Sequence, residues 1–323
     1  MRGIVLRAVF ALLLLFAAAA NAQDVSAFPS KPIRFVVPFQ PGGGTDALAR
    51  IVGEGLQNKW GQPVIIENRG GAGGNIGAEA VYKADPDGYT LLFTAGGTLT
   101  NNKALYGRLN YDPEAFVPVA LVAANFSVLV VHPKVPAGNL QQFIAYAKAN
   151  PEKLDYASPG SGTGSHLTGE MFKVMAGVRI AHIPYKGTGP AMGDLVGGQV
   201  ASMFAELGSV LPHIRAGKVR ALAMTSEKRI SALPDIPTVA EALPGFLSTP
   251  WNGAVAPPKT PMAIATKLSA AIGEVLRQPD VQKRLADRSF EPMGGTPEQM
   301  SLFMKQETER WDKVIRTIGL KAD

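Results

Sequence analysis

A run of apolar β-formers that breaks into prolines and glycines and restarts as a helix, Ile33 to Asp46 (IRFVVPFQPGGGTD), constrains the fold more than any other stretch of the chain. Ile33, Phe35, Val36 and Val37 form the kind of continuous apolar run a strand shows when both of its faces are buried. Pro38, Pro41 and the glycines 42–44 stop it. Thr45 or Asp46 is placed to cap a helix, because a short side-chain oxygen accepts from the free N–H groups of a first turn. Ala47, Leu48, Ile51, Val52 and Leu56 then recur at helical spacing. A plain βα turn and an anion site share this pattern. The anion site rests on unpartnered first-turn N–H groups, the positive end of the helix dipole, and glycines that let a ligand approach the backbone. Gly43 is the position where a bulky residue is expected to obstruct that approach and to be forced to positive φ.

The same grammar repeats along the chain. Pro63 to Glu67 reads as a second buried strand, followed by the glycine loop Asn68 to Gly77, a helix from Asn75 to Lys83, the turn Asp85 to Gly88, the strand Tyr89 to Thr94 and a third loop, Thr94 to Thr100. Three βα units in a row imply a parallel sheet with its glycine loops along one edge, where open α/β sheets bind ligands. Between Val117 and His132 the pattern changes to two apolar runs with Asn125 between them, as expected where a chain crosses into a second lobe. That lobe again alternates strands and helices, with the loop Ser158 to Gly164 opening a helix near Ser165. Pro234, Pro237, Pro244 and Pro250 mark an irregular return, and helices over 261–277, 280–287 and 297–318 are expected to pack back on the first lobe. The expected fold is therefore α/β with two lobes, each a mainly parallel sheet flanked by helices: residues 23–124 with 250–323 in lobe 1, and 125–249 in lobe 2.

Compartment is legible at the start of the chain. Arg2 and Arg7 precede an apolar run from Ala8 to Ala20, and Ala20-Asn21-Ala22 has the small-x-small pattern of a signal-peptidase site, so residues 1–22 are expected to be removed on export to the periplasm. The apolar run falls short of the roughly 20 residues a spanning helix needs. Loss of Arg2 and Arg7 takes the formal charge from +6 to +4. The remaining Lys and Arg residues are scattered rather than striped, which argues against nucleic acid. There is no cysteine, which excludes disulfides, thiolate metal sites, cysteine nucleophiles and a lipid-anchored cysteine together.

Catalytic signatures are few. No Gly-x-Ser-x-Gly elbow or Ser-x-x-Lys occurs, and His132, His166, His182 and His213 never fall three or four residues apart, so a helical metal pair is missing. Gly71 to Gly77 imitates a dinucleotide fingerprint, but it follows the second strand rather than the first, in a chain addressed away from cytoplasmic NAD. Neither a metal nor a cofactor is expected. Ser158-Pro-Gly-Ser161-Gly-Thr163-Gly-Ser165-His166 mirrors the opening loop: Thr163 or Ser165 is an N-cap in any case, and the hydroxyls also suit the far end of a ligand.

PSKPIRFVVPFQPGGGTD, QPVIIENRGGAGGNIGAEAV, ADPDGYTLL, HIPYKGTGPAMGDLVGGQV, LPHIRAGKVRALA and LPDIPTVAEALPGF resemble, in order and spacing, the Bug family, the receptors of tripartite tricarboxylate transporters. The resemblance spans essentially the whole mature chain. It implies a periplasmic binding protein of the Venus-flytrap kind, type II-like, closing on a small carboxylate held largely by main-chain amides and waters, with an aromatic at the position of Phe39 on the cleft wall. The site so expected comprises Phe39, Gly42, Gly43, Gly44, Thr45, Thr98, Ser158, Gly162, Thr163, Ser165, His166 and Glu206. For His166, packing, capping and ligand contact all stay open, and Trp251 is a candidate for the hinge. Departures from the family pattern stand at Gly70, Lys103 and Glu206, the last at a cleft-facing position where aspartate is common. A carboxylate there repels another at short range, so a solute with a donor or a non-ionised end is expected opposite Glu206. The expected partners are a small organic anion (carboxylate, dicarboxylate, amino acid or aromatic acid) and either membrane transporter subunits or a sensor kinase, with the receptor a monomer. The rival reading is an exported α/β enzyme acting on a small organic acid.

Overall fold

The computed structural model describes residues 25–321 apart from 186 and 231–232; the expected signal peptide lies outside the described residues. Strand β1 (Ile33–Val37) runs parallel between β2 (Val64–Asn68) and β3 (Thr90–Ala95), and Ile33, Phe35, Val36 and Val37 are all buried. Beyond β3 the sheet continues through β10 (Trp251–Ala256), β4 (Val117–Asn125) and β11 (Phe290–Pro292), giving six strands in the order β11-β4-β10-β3-β1-β2. A second, five-stranded sheet has the order β7-β6-β8-β5-β9, built from β5 (Ser127–Val131), β6 (Asp155–Ser158), β7 (Ala181–Pro184), β8 (Ser202–Glu206) and β9 (Arg220–Met224).

Both sheets are mixed. In the first, β10 and β11 run against the other four strands, and in the second β5 alone runs against its neighbours. The reversed strands β10 and β5 adjoin the crossing. β4 leaves the first sheet and passes to β5 through the single residue Phe126, while β10 brings the chain back beside β4, with Trp251 opposite Ala124. Outgoing and returning segments that lie side by side must be antiparallel, so the mixed pairing follows from the two crossings.

Helices cover both faces. α1 (Gly44–Trp60) ends at Gly61, whose φ of +67° lets its N–H reach back to Gln57 O. Introduced next in chain order are α2 (Asn75–Tyr82), α3 (Gly97–Thr100), α4 (Asn102–Leu105), α5 (Leu140–Ala149), α6 (Gly164–Ala176), α7 (Thr188–Gly197), α8 (Leu207–Arg215), α9 (Met262–Leu276), α10 (Pro279–Ala286) and α11 (Pro297–Ile318). α3 lies in the stretch 94–100, whose glycines and threonines read as loop. α9 buries Ile264, Leu268, Ile272, Val275 and Leu276 in one core with α1 and β1, each such side chain contributing about 1.5–3 kcal/mol. Gly55 of α1 is needed there, because a Cβ would lie 3.0 Å from Val275 Cγ2.

α11 packs back on the first sheet and also reaches elements of the second. A capping box between Thr296 and Gln299 starts it, and its first half lies on the first sheet's side, where Met300 and Met304 join the cluster around Val36 and Trp251. Farther along, Trp311 and Ile315 pack with Leu105 of α4 and Leu167 of α6, so this helix touches elements of both sheets.

Candidate functional site

The carboxyl ends of β1, β3, β6 and β8 converge on a cavity of about 300 Å³, at the lower end of the size range of small-molecule sites. The local folding of each loop decides which of its residues reach that space.

At the start of α1 the N-cap is Gly43, without a side-chain cap, rather than Thr45 or Asp46. Asp46 folds the loop instead. Its carboxylate accepts from Gly42 N at 2.9 Å and from Arg50 and Asn68 at 3.0 Å. Burial pushes this carboxyl up, but the bonds from Arg50, Gly42 and Asn68 outweigh it and hold it below its usual range. Thr45 donates to Asn252 Oδ1 at 2.8 Å, and Asn252 donates in turn to Asn125 Oδ1 at 2.9 Å, tying the helix start to both crossing strands. Phe39 and Thr45 line the cavity; Gly42, Gly43 and Gly44 do not. Positive φ belongs to Gly42 (+85°) and not to Gly43, which is extended at −77° and where a Cβ would meet only Gln40 O at 3.7 Å. The positive φ expected of Gly43 is therefore absent, and of this loop and first turn it is Phe39 and Thr45 that line the cavity.

The third loop contributes more than its sequence indicated. Gly96 lies flat against the Trp251 indole, with a hypothetical Cβ 2.8 Å from Cδ2, and its N–H donates to Trp251 O at 2.8 Å. Thr98, in α3, lines the cavity, and its Oγ1 is buried without a hydrogen-bond partner among the described residues. Tyr111 OH lies 2.9 Å from both Thr98 O and Asn75 Oδ1, and burial pushes its hydroxyl pKa up.

In the second sheet, Thr163 caps α6. Its Oγ1 accepts from His166 N and donates to Gly160 O at 2.7 Å. Ser165 donates to Phe204 O at 2.7 Å, and Gly162, Thr163 and Ser165 all line the cavity. Ser158 and His166 do not. Ser158 Oγ is 2.7 Å from His182 Nε2 beneath the loop, and His166 Nδ1 accepts from Gly162 N at 3.0 Å. The two imidazoles stack 3.8 Å apart. Both side chains hold the loop's shape, so capping and packing account for His166. Burial, then the neighbouring His166, pushes His182 down to about 4, and burial also pushes His166 down against the pull of Glu170.

Glu206 ends β8 opposite Ser127, and its side chain enters the cavity toward α1, with Oε2 3.8 Å from where a Cβ on Gly44 would stand. Glu206 is exposed to the cleft, yet the protein packed around it leaves its carboxyl poorly solvated and pushes it up. Trp251, a candidate for the hinge, also lines the cavity, as do Trp311 and Glu307, which no motif marked. Glu307 accepts from Arg310 at 2.6 Å and from Trp311 Nε1 at 3.3 Å, and Arg310 also donates to Leu247 O at 2.7 Å. Among the described residues no cluster of His, Asp and Glu is arranged to hold a metal ion.

Against known proteins, the chain is 40% identical to Protein BugT of Bordetella pertussis over 310 residues, covering 94% of this chain and 95% of BugT. Its fold is similar to that of R. palustris Rpa4515 with adipate (TM-score 0.83, 36% identity, 91% of this chain and 99% of that one). It is also similar to MatC of Rhodopseudomonas palustris with bound malate (TM-score 0.78, 36% identity, 89% and 100%). Residues 48–320 match the Tripartite tricarboxylate transporter family receptor, TctC, and with relatives this similar over nearly its full length the chain belongs to that receptor family.

Proposed function

We propose that this chain is an extracytoplasmic receptor that captures a small carboxylate between two lobes and delivers it to a tripartite-type membrane transporter or to a sensor, after export by a signal peptide ending at Ala22. In this reading lobe 1 comprises 23–124 and 250–323, lobe 2 comprises 125–249, and the paired strands β4 and β10 form the hinge. The observation that carries it is a cavity walled by both sheets, where the starts of α1 and α6 bring first-turn N–H groups and hydroxyls to opposite sides of one small space. Ligand contacts are assigned to Phe39, Thr45, Thr98, Gly162, Thr163, Ser165 and Glu206. The adipate and malate of the two similar structures are small carboxylates of a size for such a space. An enzyme finds less support. The Ser158–His182 contact resembles a nucleophile with its base, but Ser158 is fully buried and outside the cavity.

The test is mass spectrometry of solute co-purified with the native protein, followed by thermal shift against mono- and dicarboxylates, aromatic acids and amino acids. A receptor is stabilised by RT ln(1+[L]/Kd), about 2.7 kcal/mol at a hundredfold excess over Kd, and returns the solute unchanged. Conversion of the solute, or no shift with any carboxylate, refutes the reading.

A further inference from the structure

Of the cavity's described lining residues, two are charged, and both are acidic. Glu307 is already partnered by Arg310 and the Trp311 indole N–H. Glu206 differs: no hydrogen bond or ion pair joins its carboxylate to any described residue, and it projects from the second sheet to within reach of the first turn of α1. None of the other described residues that line the cavity carries a positive charge. A solute carboxylate at the helix starts is served by N–H groups and hydroxyls, but a second carboxylate placed at Glu206 meets an unneutralised like charge in a cleft of reduced dielectric. An ammonium placed there gains an opposite charge, and it supplies the donors that an ionised carboxylate, being an acceptor only, requires.

We propose that Glu206 is a specificity determinant that selects solutes bearing an ammonium group at the end opposite their carboxylate, so that the cavity takes a small zwitterionic amino acid in preference to a dicarboxylate of the same length. This rests on the receptor reading above and narrows its solute class. It separates this chain from the two similar structures described with adipate and malate, which are dicarboxylates. Glu206 lies within reach of the first turn of α1, and the positive end of that helix dipole opposes the burial that pushes this carboxyl up. Two like charges about 4 Å apart at an effective dielectric near 20 correspond to about a thousandfold in affinity, and screening by cleft water reduces this to about a hundredfold.

The experiment is calorimetric titration of the exported protein, stripped of bound solute by unfolding and refolding, with length-matched pairs: β-alanine against malonate, γ-aminobutyrate against succinate, and δ-aminovalerate against glutarate. In at least one pair the amino acid is expected to bind about a hundredfold more tightly than its dicarboxylate. Glu206→Gln should reverse that order by weakening the amino acid and admitting the dicarboxylate, while Glu206→Asp should keep it. A wild-type protein that, in every pair with a measurable binder, binds the dicarboxylate as tightly as the amino acid overturns the proposal and leaves the receptor reading standing. Failure of every member of every pair to bind overturns the proposal, and the carboxylate reading falls with it if the wider thermal-shift panel is also silent. The wild-type comparison decides the matter even where a variant does not fold.

Discussion

Replacing Gly96 by alanine should show how closely the cavity depends on one backbone-to-indole contact. A methyl at this position would overlap the Trp251 ring at Cε2 and Nε1 and stand 2.8 Å from Cδ2, where ordinary carbon contacts need about 3.5–4 Å. The backbone is not free to yield, because Gly96 N donates to Trp251 O and Gly96 O accepts from the N–H groups of Leu99 and Thr100. Nor is the indole free to retreat, because Phe303 packs edge-on against it with centroids 5.2 Å apart. The ring must therefore shift by about 1 Å into the cavity it lines. Overpacking of this kind costs about 1–3 kcal/mol, and at about 2–4 °C per kcal/mol the variant should melt several degrees lower, with solute affinity reduced at least tenfold. Gly97→Ala is the control. Its Cβ would meet only the Asn101 side chain, at 3.5 Å, and its φ is not in the left-handed region, so its melting temperature should change little, although the residue also lines the cavity. Differential scanning calorimetry, titration with the co-purified solute and tryptophan fluorescence measure the three consequences. If Gly96→Ala and Gly97→Ala melt and bind alike, the packing argument is wrong.

Thr98→Val exchanges a buried, unpartnered hydroxyl for a methyl, so the melting temperature should hold or rise, whereas titration should show binding weakened about 2-fold to 150-fold where that hydroxyl meets the solute. Because the folded protein depresses His182 to about 4, the unfolded chain binds more protons between about pH 6.5 and pH 4; stability from this group is complete above 6.5 and is lost as pH falls through that window, by about 1–2 kcal/mol allowing for the ring's partial exposure. His166 is depressed in the same direction, so His182→Gln should flatten, without abolishing, the acid limb of a melting-temperature profile. Arg310→Met leaves the Glu307 carboxylate without its guanidinium and frees Leu247 O, and should cost about 2–4 kcal/mol in denaturant unfolding, whereas the exposed pair Lys283 and Asp287 should be worth less than about 1 kcal/mol.

What was legible in the sequence was local. The start of α6 was legible because Thr163, one of the two cap candidates there, is its N-cap, and caps depend on residues a few positions apart. Strand β1 was legible because continuous burial writes itself as a continuous apolar run. The same locality misled at the start of α1: glycines signal that a backbone turns, but that Gly42 rather than Gly43 takes the positive φ, and that Asp46 folds the loop instead of capping the helix, depends on Asp46 being held by Arg50 and by Asn68 from β2, and no short window contains that information. β11 was missed because three residues ending in proline form a strand only when β4 is already there to pair with them.

The rest of the site was illegible for a deeper reason. Trp251, Glu307 and Trp311 reach the cavity from segments more than 150 residues beyond Thr98, carried there by β10 and by a helix that leans on both sheets. As isolated letters they are ordinary core residues, and only the return crossing makes them walls. The loops that a reader of the sequence picks out are therefore the part of the site that one lobe folds by itself, while the part supplied by the crossing and by α11 exists only when both sheets are assembled. A change at Arg310, which never appears among the cavity's lining residues, acts on that second part: it loosens α11 from Leu247 and so moves Trp311 without touching any loop. Such a variant should lose affinity while the α1 and α6 starts keep their geometry, and unaltered amide chemical shifts at residues 43–46 and 162–166 in the solute-free protein, beside weakened titration, would separate the two contributions.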